Sequence, residues 1–283
     1  MHISSRARVL ALALVAASAS SALLGACASA PAADPAAAAG VRLDQVLAGD
    51  QRSAANRARD VYRHPKETLT FFGARPDMTI VEISPGDGWY TEILAPYVHG
   101  SGKLYAAHYD PDSGSKYMQG SLQRFRDKLA ARPDLYGELN LTVLSASKTA
   151  IAPPGAADLV VTFRNIHNWM AGDYAPVAFK AMYDALKPGG VLGVEEHRGR
   201  TDEPQDPKAK SGYVREDYAV ALIESVGFKL VGRTEINANP RDTKDYELGV
   251  WTLPPTYSAG DKDREKYAAI GESDRFTLKF VKP

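Results

Sequence analysis

Residues 79–88 are the stretch of this chain best suited to bind a ligand. They form an apolar run that contains an acid near its end and leads into a glycine-rich loop. The run TIVEI covers residues 79–83, the loop SPGDG covers residues 84–88, and a segment with a helical pattern follows. Glycines let the backbone approach a ligand closely, and the first N–H groups of a helix favour a carboxylate or phosphate. The alternative is that both glycines only make a tight turn between strand and helix. The residues predicted to bind a nucleotide-like ligand here are Glu82, Ser84, Gly86, Asp87 and Gly88.

A second group of reactive side chains follows the apolar run at 157–163. His167 is the best candidate for a general base, because the pKa of a histidine is ordinarily near neutral. Trp169 has a ring that can stack on a flat group or face a cation, and Asn165 lies in the same loop. In the alternative interpretation, Asn165 and His167 cap a nearby helix and Trp169 packs against the sheet. Both interpretations stay open at this point.

A third group ends the apolar run at 189–196, where Glu195 and Glu196 precede His197. A carboxylate beside a histidine suits acid–base chemistry, so His197 joins the candidate catalytic residues. Adjacent residues of a strand point to opposite faces, which predicts that Glu195 and His197 share a face. The spacing of these side chains matches no recognised metal motif, so we predict no metal.

The elements that must position these residues can be predicted from the apolar pattern. Near-continuous apolar runs are typical of strands that are covered on both faces, and a longer repeat is typical of amphipathic helices. The predicted strands lie near 78–84, 103–108, 140–145, 157–163 and 189–196, and the predicted helices near 89–98, 116–131, 173–186 and 214–226.

The C-terminal part differs, because residues 228–236 and 275–281 predict two further strands separated by a long polar segment. Phe276, Leu278 and Phe280 alternate with polar residues, the mark of a half-buried antiparallel strand. Long excursions in compact domains are usually functional lids or disordered. The expected fold class is α/β, a doubly wound three-layer sandwich with a mostly parallel seven-stranded sheet and a C-terminal antiparallel hairpin.

Several segments give the chain a family resemblance, namely YRHP (62–65), EISPGDGWY (82–90), FRNIHNW (163–169), LKPGG (186–190) and GESDR (271–275). Together they resemble class I S-adenosylmethionine-dependent methyltransferases, which have a Rossmann-like fold. More closely, the chain is similar to a group of bacterial methyltransferases, many of which carry export signals. The resemblance covers roughly residues 50–283.

The resemblance implies S-adenosylmethionine as the cofactor, with Glu82 holding its aminoacyl end and the loop at Gly86 and Gly88 passing beneath it. The family usually has an acid at the end of the second strand that binds the ribose. This chain has His108 at that position and Asp110 two residues later, so both become candidate ribose contacts. A nicotinamide-binding fingerprint is disfavoured, because its third glycine position is Thr91.

The N-terminal residues resemble a bacterial export signal with a lipobox. A basic start, an apolar stretch and the sequence LGAC, which ends at Cys27, predict a signal peptide over 1–26 and lipidation of Cys27. A lipidated tether would cover 27–42, and the methyltransferase-like domain 43–283, with an N-terminal helical cap at 43–75. We therefore expect a protein anchored at the periplasmic face of the envelope, in the outer membrane rather than the inner.

The composition narrows the possible partners of the chain. The chain has 34 basic and 34 acidic residues and no net charge, and it shows no basic stripe, which argues against a nucleic-acid binder. Its single cysteine excludes an internal disulfide. We expect a methyltransferase that acts on an unknown small-molecule or envelope acceptor. The alternative is a non-catalytic binding module of the envelope on a degenerate methyltransferase fold.

Overall fold

The computed structural model describes residues 1–2 and 35–283 of the chain. The predicted signal peptide, Cys27 and the tether up to residue 34 lie outside the described residues, apart from residues 1 and 2. Expectations for them therefore stay predictions. Among the helices that are described, none combines the length and the apolar character needed to cross a membrane.

Seven strands form one sheet in the order β3-β2-β1-β4-β5-β7-β6. All neighbouring strands pair in parallel except β7, which is antiparallel to both β5 and β6. The predicted doubly wound fold with a C-terminal antiparallel hairpin is thus confirmed. The strands are β1 Thr79–Ile83, β2 Lys103–His108, β3 Asn140–Val143, β4 Ala157–Phe163, β5 Leu186–His197, β6 Lys229–Thr234 and β7 Arg275–Val281.

Helices cover both faces of the sheet, because successive residues of the central strands bury apolar side chains on opposite sides. Val81 and Val160 belong to one apolar core, together with α8, α9 and α10, whereas Ile80 and Val161 belong to the other, with α1, α4 and α5. The helices are α1 Pro35–Ala48, α2 Ala54–Arg57, α3 Asp60–Arg63, α4 Pro65–Phe72, α5 Thr91–Val98, α6 Lys116–Ala131, α7 Pro133–Tyr136, α8 Ile166–Ala171, α9 Ala175–Ala185, α10 Glu216–Ser225 and α11 Arg264–Ile270.

The first helix corrects one predicted boundary. The tether was expected to reach residue 42, but α1 already begins at Pro35. Alanine has the highest helix propensity of the residues, and this segment is rich in it. The helix is also held by packing, because Ala39, Leu43 and Val46 are buried. A low-complexity composition therefore did not mean an extended linker here.

Candidate functional site

A cavity of about 960 Å³ opens at the carboxyl ends of β1, β4 and β5. In open α/β sheets, ligands bind at this edge. Its wall combines the loop after β1, the loop after β4, the end of β5 and two segments from elsewhere in the chain. These two are the turn around α3 and the excursion between β6 and β7, which contributes residues such as Val250 and Trp251. The long polar excursion is therefore ordered against the cavity.

The two glycines of the first loop have different roles. Gly86 has φ +60°, lines the cavity, and has no heavy atom within 4 Å of the position that a Cβ would occupy. Gly88 has φ +81°, and a Cβ there would lie 3.1 Å from the ring of Phe125 on α6. The ligand interpretation thus fits Gly86, and the interpretation as a packing turn fits Gly88. Ser84 and Asp87 also line the cavity, and the two carboxylate oxygens of Asp87 each accept a hydrogen bond from Arg124 Nε at 3.2 Å.

Glu82 lies at the floor of this loop with only 1% of its surface exposed. Thr91 Oγ1 donates a hydrogen bond to Glu82 Oε2 at 2.6 Å. Burial raises the pKa of Glu82 to about 7, although the Thr91 hydrogen bond and the charge of Lys128 act in the opposite direction. The carboxyl group is therefore held near its ionisation midpoint at neutral pH, and a cation bound in the cavity would favour its charged form.

His108 and Asp110 are not among the residues that line the cavity, so their contact with a ligand stays a prediction. The Tyr109 backbone N–H donates to His108 Nδ1 at 2.7 Å, and His108 Nε2 donates to the Gly86 carbonyl at 2.9 Å. Burial lowers the pKa of His108, in keeping with a neutral ring. Asp110 is paired with Lys148 Nζ at 2.7 Å. His108 thus ties β2 to the glycine loop, because its ring reaches back where a short acidic side chain would not.

The loop after β4 separates the predicted residues into two groups. Asn165 and His167 line the cavity, and Asn165 Nδ2 donates to the Ile83 carbonyl at 3.0 Å, which links the ends of β1 and β4. Trp169 is 1% exposed and meets Phe179 edge-on, with ring centroids 5.5 Å apart. Of the two interpretations left open for Trp169, packing inside the fold is the one that this position fits. Trp169 lies on the short helix α8, which directs its ring into the core. Burial of a large apolar ring there is more favourable in free energy than its exposure to solvent.

His167 forms a buried pair with Glu196. The alternation of strand residues predicts that Glu196 points away from the face shared by Glu195 and His197. His167 Nδ1 lies 3.0 Å from Glu196 Oε1, and Glu196 is fully buried. Since a carboxylate only accepts, the proton is on Nδ1 and the lone pair is on Nε2. Glu196 Oε2 also accepts from the Ile166 N–H at 2.6 Å. This carboxylate accepts a hydrogen bond from a backbone N–H group at the start of α8, whereas the side chain of Asn165 makes no capping hydrogen bond there.

His197 lies next to this pair and completes a three-residue cluster. The rings of His167 and His197 have centroids 5.4 Å apart, and His197 Nδ1 lies 2.6 Å from Ser273 Oγ. Burial and the neighbouring His167 lower the pKa of His197 well below its usual value. One ligand atom from each of His167, Glu196 and His197 lies within 4.8 Å of the others, a spacing that a metal ion would tolerate. Both Glu196 oxygens already accept hydrogen bonds, which favours an orienting role over a ligand role.

A cluster of arginines that sequence reasoning missed lies beside this group. Glu195 Oε1 is 3.0 Å from Arg164 Nη1 and 3.1 Å from Arg275 Nη1. Glu272 contacts Arg275 at 2.8 Å and two further arginines of the N-terminal cap. The nitrogens in those last two contacts are Arg59 Nε at 2.6 Å and Arg63 Nε at 3.3 Å. The only signal in the sequence is the pair of polar segments at 63–64 and 274–275, because partners up to 213 positions apart meet here.

Comparison with known proteins supports the fold. A methyltransferase from Aquifex aeolicus, described as SAM-dependent, superimposes with a TM-score of 0.52 and 15% identity, covering 86% of this chain and 98% of that one. The cyclase SpnF superimposes with a TM-score of 0.56 and 16% identity, covering 83% and 86% of the two chains. No protein-family model and no curated protein sequence matches the chain.

At sequence identities this low, the superpositions establish the fold but not the reaction. The two neighbours illustrate this, because one is described as a methyltransferase and the other as a cyclase. The chain thus has the fold of the class I S-adenosylmethionine-dependent methyltransferases, as the resemblance in its sequence implied.

Proposed function

We propose that the protein is an S-adenosylmethionine-dependent methyltransferase that acts on an unknown small-molecule or envelope acceptor. One observation carries the proposal: a single cavity of about 960 Å³ joins the glycine loop to the His167–Glu196 pair. Cofactor sites are commonly clefts of roughly 300–1,000 Å³ with a few convergent polar groups. This cavity has room for a cofactor at one end and an acceptor at the other.

The residues at the β1 end fit the cofactor. Gly86 leaves free space beside its backbone, and Glu82 offers a buried carboxyl group for the ammonium of the aminoacyl end. With His108 occupied, the groups that line the side next to β2 are Tyr109, Tyr117 and Ser121. Their hydroxyl groups can hydrogen-bond a ribose in place of the usual acid. When bound, the cofactor supplies an electrophilic methyl group.

The chain's own contribution to the reaction is to position the acceptor and remove a proton from it. His167 Nε2 is the atom that accepts this proton, because Nδ1 already faces Glu196 at 3.0 Å. Glu196 fixes the orientation of the ring and stabilises the imidazolium that forms, which is the usual role of a buried carboxylate behind a histidine base. Asn165 holds the two strand ends together beneath it.

The proposal is tested by measuring cofactor binding to the full chain by calorimetry, with S-adenosylmethionine and its demethylated product S-adenosylhomocysteine. The Gly86→Val variant places a side chain in the open space and should lose micromolar binding. Gly155→Val is the matched control, since Gly155 has φ +64°, has equally open surroundings and lies outside the cavity wall. Equal binding by both variants, or none by the unmodified protein at millimolar ligand, would refute the proposal.

One observation favours the second candidate, a non-catalytic binding module of the envelope. His108 occupies the position at which the family usually has the acid that binds the ribose. Both of its ring nitrogens already form hydrogen bonds within the protein. A protein of this kind would bind neither methyl donor nor product, and its cavity would accept another ligand. The calorimetric experiment therefore also separates the two candidates.

For location, we propose that the chain is anchored by a lipid on Cys27 at the periplasmic face of the outer membrane. The support is the pattern of the first 27 residues, which combines Arg6 and Arg8 with an apolar stretch and a lipobox-like end. In cell fractionation, Cys27→Ser should release the protein from the membrane fraction. Retention of this variant in the membrane would contradict the lipid anchor.

A further inference from the structure

The cavity wall beside His167 has an excess of positive charge. Among the described residues, four arginines contact two buried glutamates here. They are Arg59, Arg63, Arg164 and Arg275, around Glu195 and Glu272. The neighbouring carboxylate of Glu196 is already engaged by His167 and the backbone at the start of α8. Each arginine thus contacts a glutamate, but the four positive charges exceed the two carboxylates that they share. A buried charge without a counter-charge is strongly unfavourable, so an arrangement of this kind indicates a site that an anion completes.

Arg63 shows where that anion would lie. Its residue surface is only 3% exposed, and it nevertheless lines the cavity. The only hydrogen bond of its guanidinium to a described residue is the 3.3 Å contact from Nε to Glu272, so both terminal nitrogens keep their donors. The guanidinium lies 4.6 Å above the ring of Trp89, which holds it in place. Burial and the nearby Arg164 lower the pKa of Arg63 well below its usual value, and a bound anion would oppose both effects.

Arg59 and Arg164 present donors to the same part of the cavity. Arg59 uses only Nε, toward Glu272, and Arg164 uses only Nη1, toward Glu195. Both line the cavity. Arg164 has φ +60°, a left-handed conformation that is uncommon for residues other than glycine. Three guanidinium groups thus converge, and their planar donor geometry suits the oxygens of a carboxylate or phosphate.

We propose that Arg59, Arg63 and Arg164 form an oxyanion subsite that selects an acceptor carrying a carboxylate or phosphate group. This inference rests on the proposed function and names the substrate class of its acceptor site. The bound cofactor carries a sulfonium, an ammonium and one carboxylate, a net charge of one positive. It adds to the arginine excess and does not remove it, so the balancing anion comes from the acceptor. Because Arg164 and His167 share one loop, the oxyanion is held beside the base.

The inference is tested by titrating the full chain with inorganic phosphate and with acetate. Binding is monitored by calorimetry and by tryptophan fluorescence, to which Trp89 in the cavity wall contributes. Each titration is repeated with saturating S-adenosylhomocysteine. We expect saturable binding that persists when the product is bound and weakens at least tenfold in Arg63→Met, with partial recovery in Arg63→Lys. The anion that binds with the higher affinity, phosphate or acetate, indicates whether the acceptor carries a phosphate or a carboxylate group.

The control variant is Arg132→Met, which removes the same charge from an exposed ion pair with Asp134, outside the cavity wall. Its anion binding should equal that of the unmodified protein. If Arg63→Met fails to fold, Arg59→Met serves instead, since this side chain is 24% exposed. Anion binding that is unchanged in the cavity variants, or that competes with S-adenosylhomocysteine, overturns the inference. Product binding without anion binding refutes the subsite alone, and anion binding without product binding refutes the methyltransferase proposal alone.

Discussion

Glu82→Gln should make the protein more stable at alkaline pH while removing its ability to bind the cofactor. The carboxyl group is 1% exposed, and its only hydrogen bond to a described residue comes from Thr91 Oγ1. Burial raises its pKa from an ordinary 4.5 to about 7. A glutamine has nearly the same shape and keeps an oxygen for Thr91, but it cannot ionise. The substitution therefore removes a buried charge with little change in packing.

The sign and size of the effect follow from the two pKa values. Below pH 4.5 the carboxyl group is neutral in both the folded and the unfolded chain, so it does not affect stability. As the pH rises toward 7, the unfolded chain ionises first, and the free energy of unfolding falls. Above about pH 7 the loss is complete and amounts to about 3 kcal/mol, at about 1.4 kcal/mol for each pKa unit. Glu82→Gln should recover about this amount at pH 8, and less than about 1 kcal/mol at pH 5.

The assay is urea unfolding of both proteins at pH 5 and pH 8, with cofactor binding measured in parallel. Glu92→Gln is the control, because Glu92 is also buried but already pairs with Lys128 Nζ at 2.6 Å. Neutralising Glu92 should destabilise the protein at pH 8. An equal gain for Glu82→Gln at both pH values would show that Glu82 does not titrate between them, and the reasoning would fail.

Three further substitutions have expected outcomes. Trp169→Ala should lower the free energy of unfolding by about 3–5 kcal/mol in urea titrations and leave cofactor affinity unchanged, because the ring is in the core. Arg275→Met should lower it by about 1–3 kcal/mol at pH 7, since Glu195 and Glu272 each lose a charged hydrogen-bond donor although each keeps another arginine; an unchanged free energy of unfolding would contradict these contacts. His167→Gln should reduce turnover by roughly 10²-fold or more with unchanged cofactor affinity in calorimetry; normal turnover would remove His167 as the base.

The elements of the sheet were predictable because their pattern is local. The strands at 103–108 and 157–163 and the helix at 116–131 were predicted with the bounds that the structure has. A parallel strand that is covered on both faces must be apolar along its whole length, and a surface helix must be apolar on one stripe. The start of α1 was missed because an alanine-rich segment suits a tether and a helix equally well until Leu43 and Val46 find a surface to pack against.

Part of the candidate site was predictable for the same reason. Glu82, Gly86, Asn165, His167 and His197 all line one cavity, as expected for residues at the carboxyl ends of parallel strands. The position of a residue in the chain was enough to place it at this edge. It was not enough to say which way a ring turns, and so the burial of Trp169 in the core could not be distinguished from a place in the cavity wall.

The amino-acid pattern was sufficient to predict the order of the strands and helices, the sheet edge where the cavity opens and the glycine loop that lines it. These depend on apolar periodicity and on glycines, which act over a few residues. The folded chain was needed to see that His108 holds the glycine loop, that Glu196 contacts His167 and that Arg59 meets Glu272 across 213 positions. Partners of buried charges and hydrogen-bonding groups are chosen by distance in space, because desolvated polar groups must be satisfied by whatever the fold brings near.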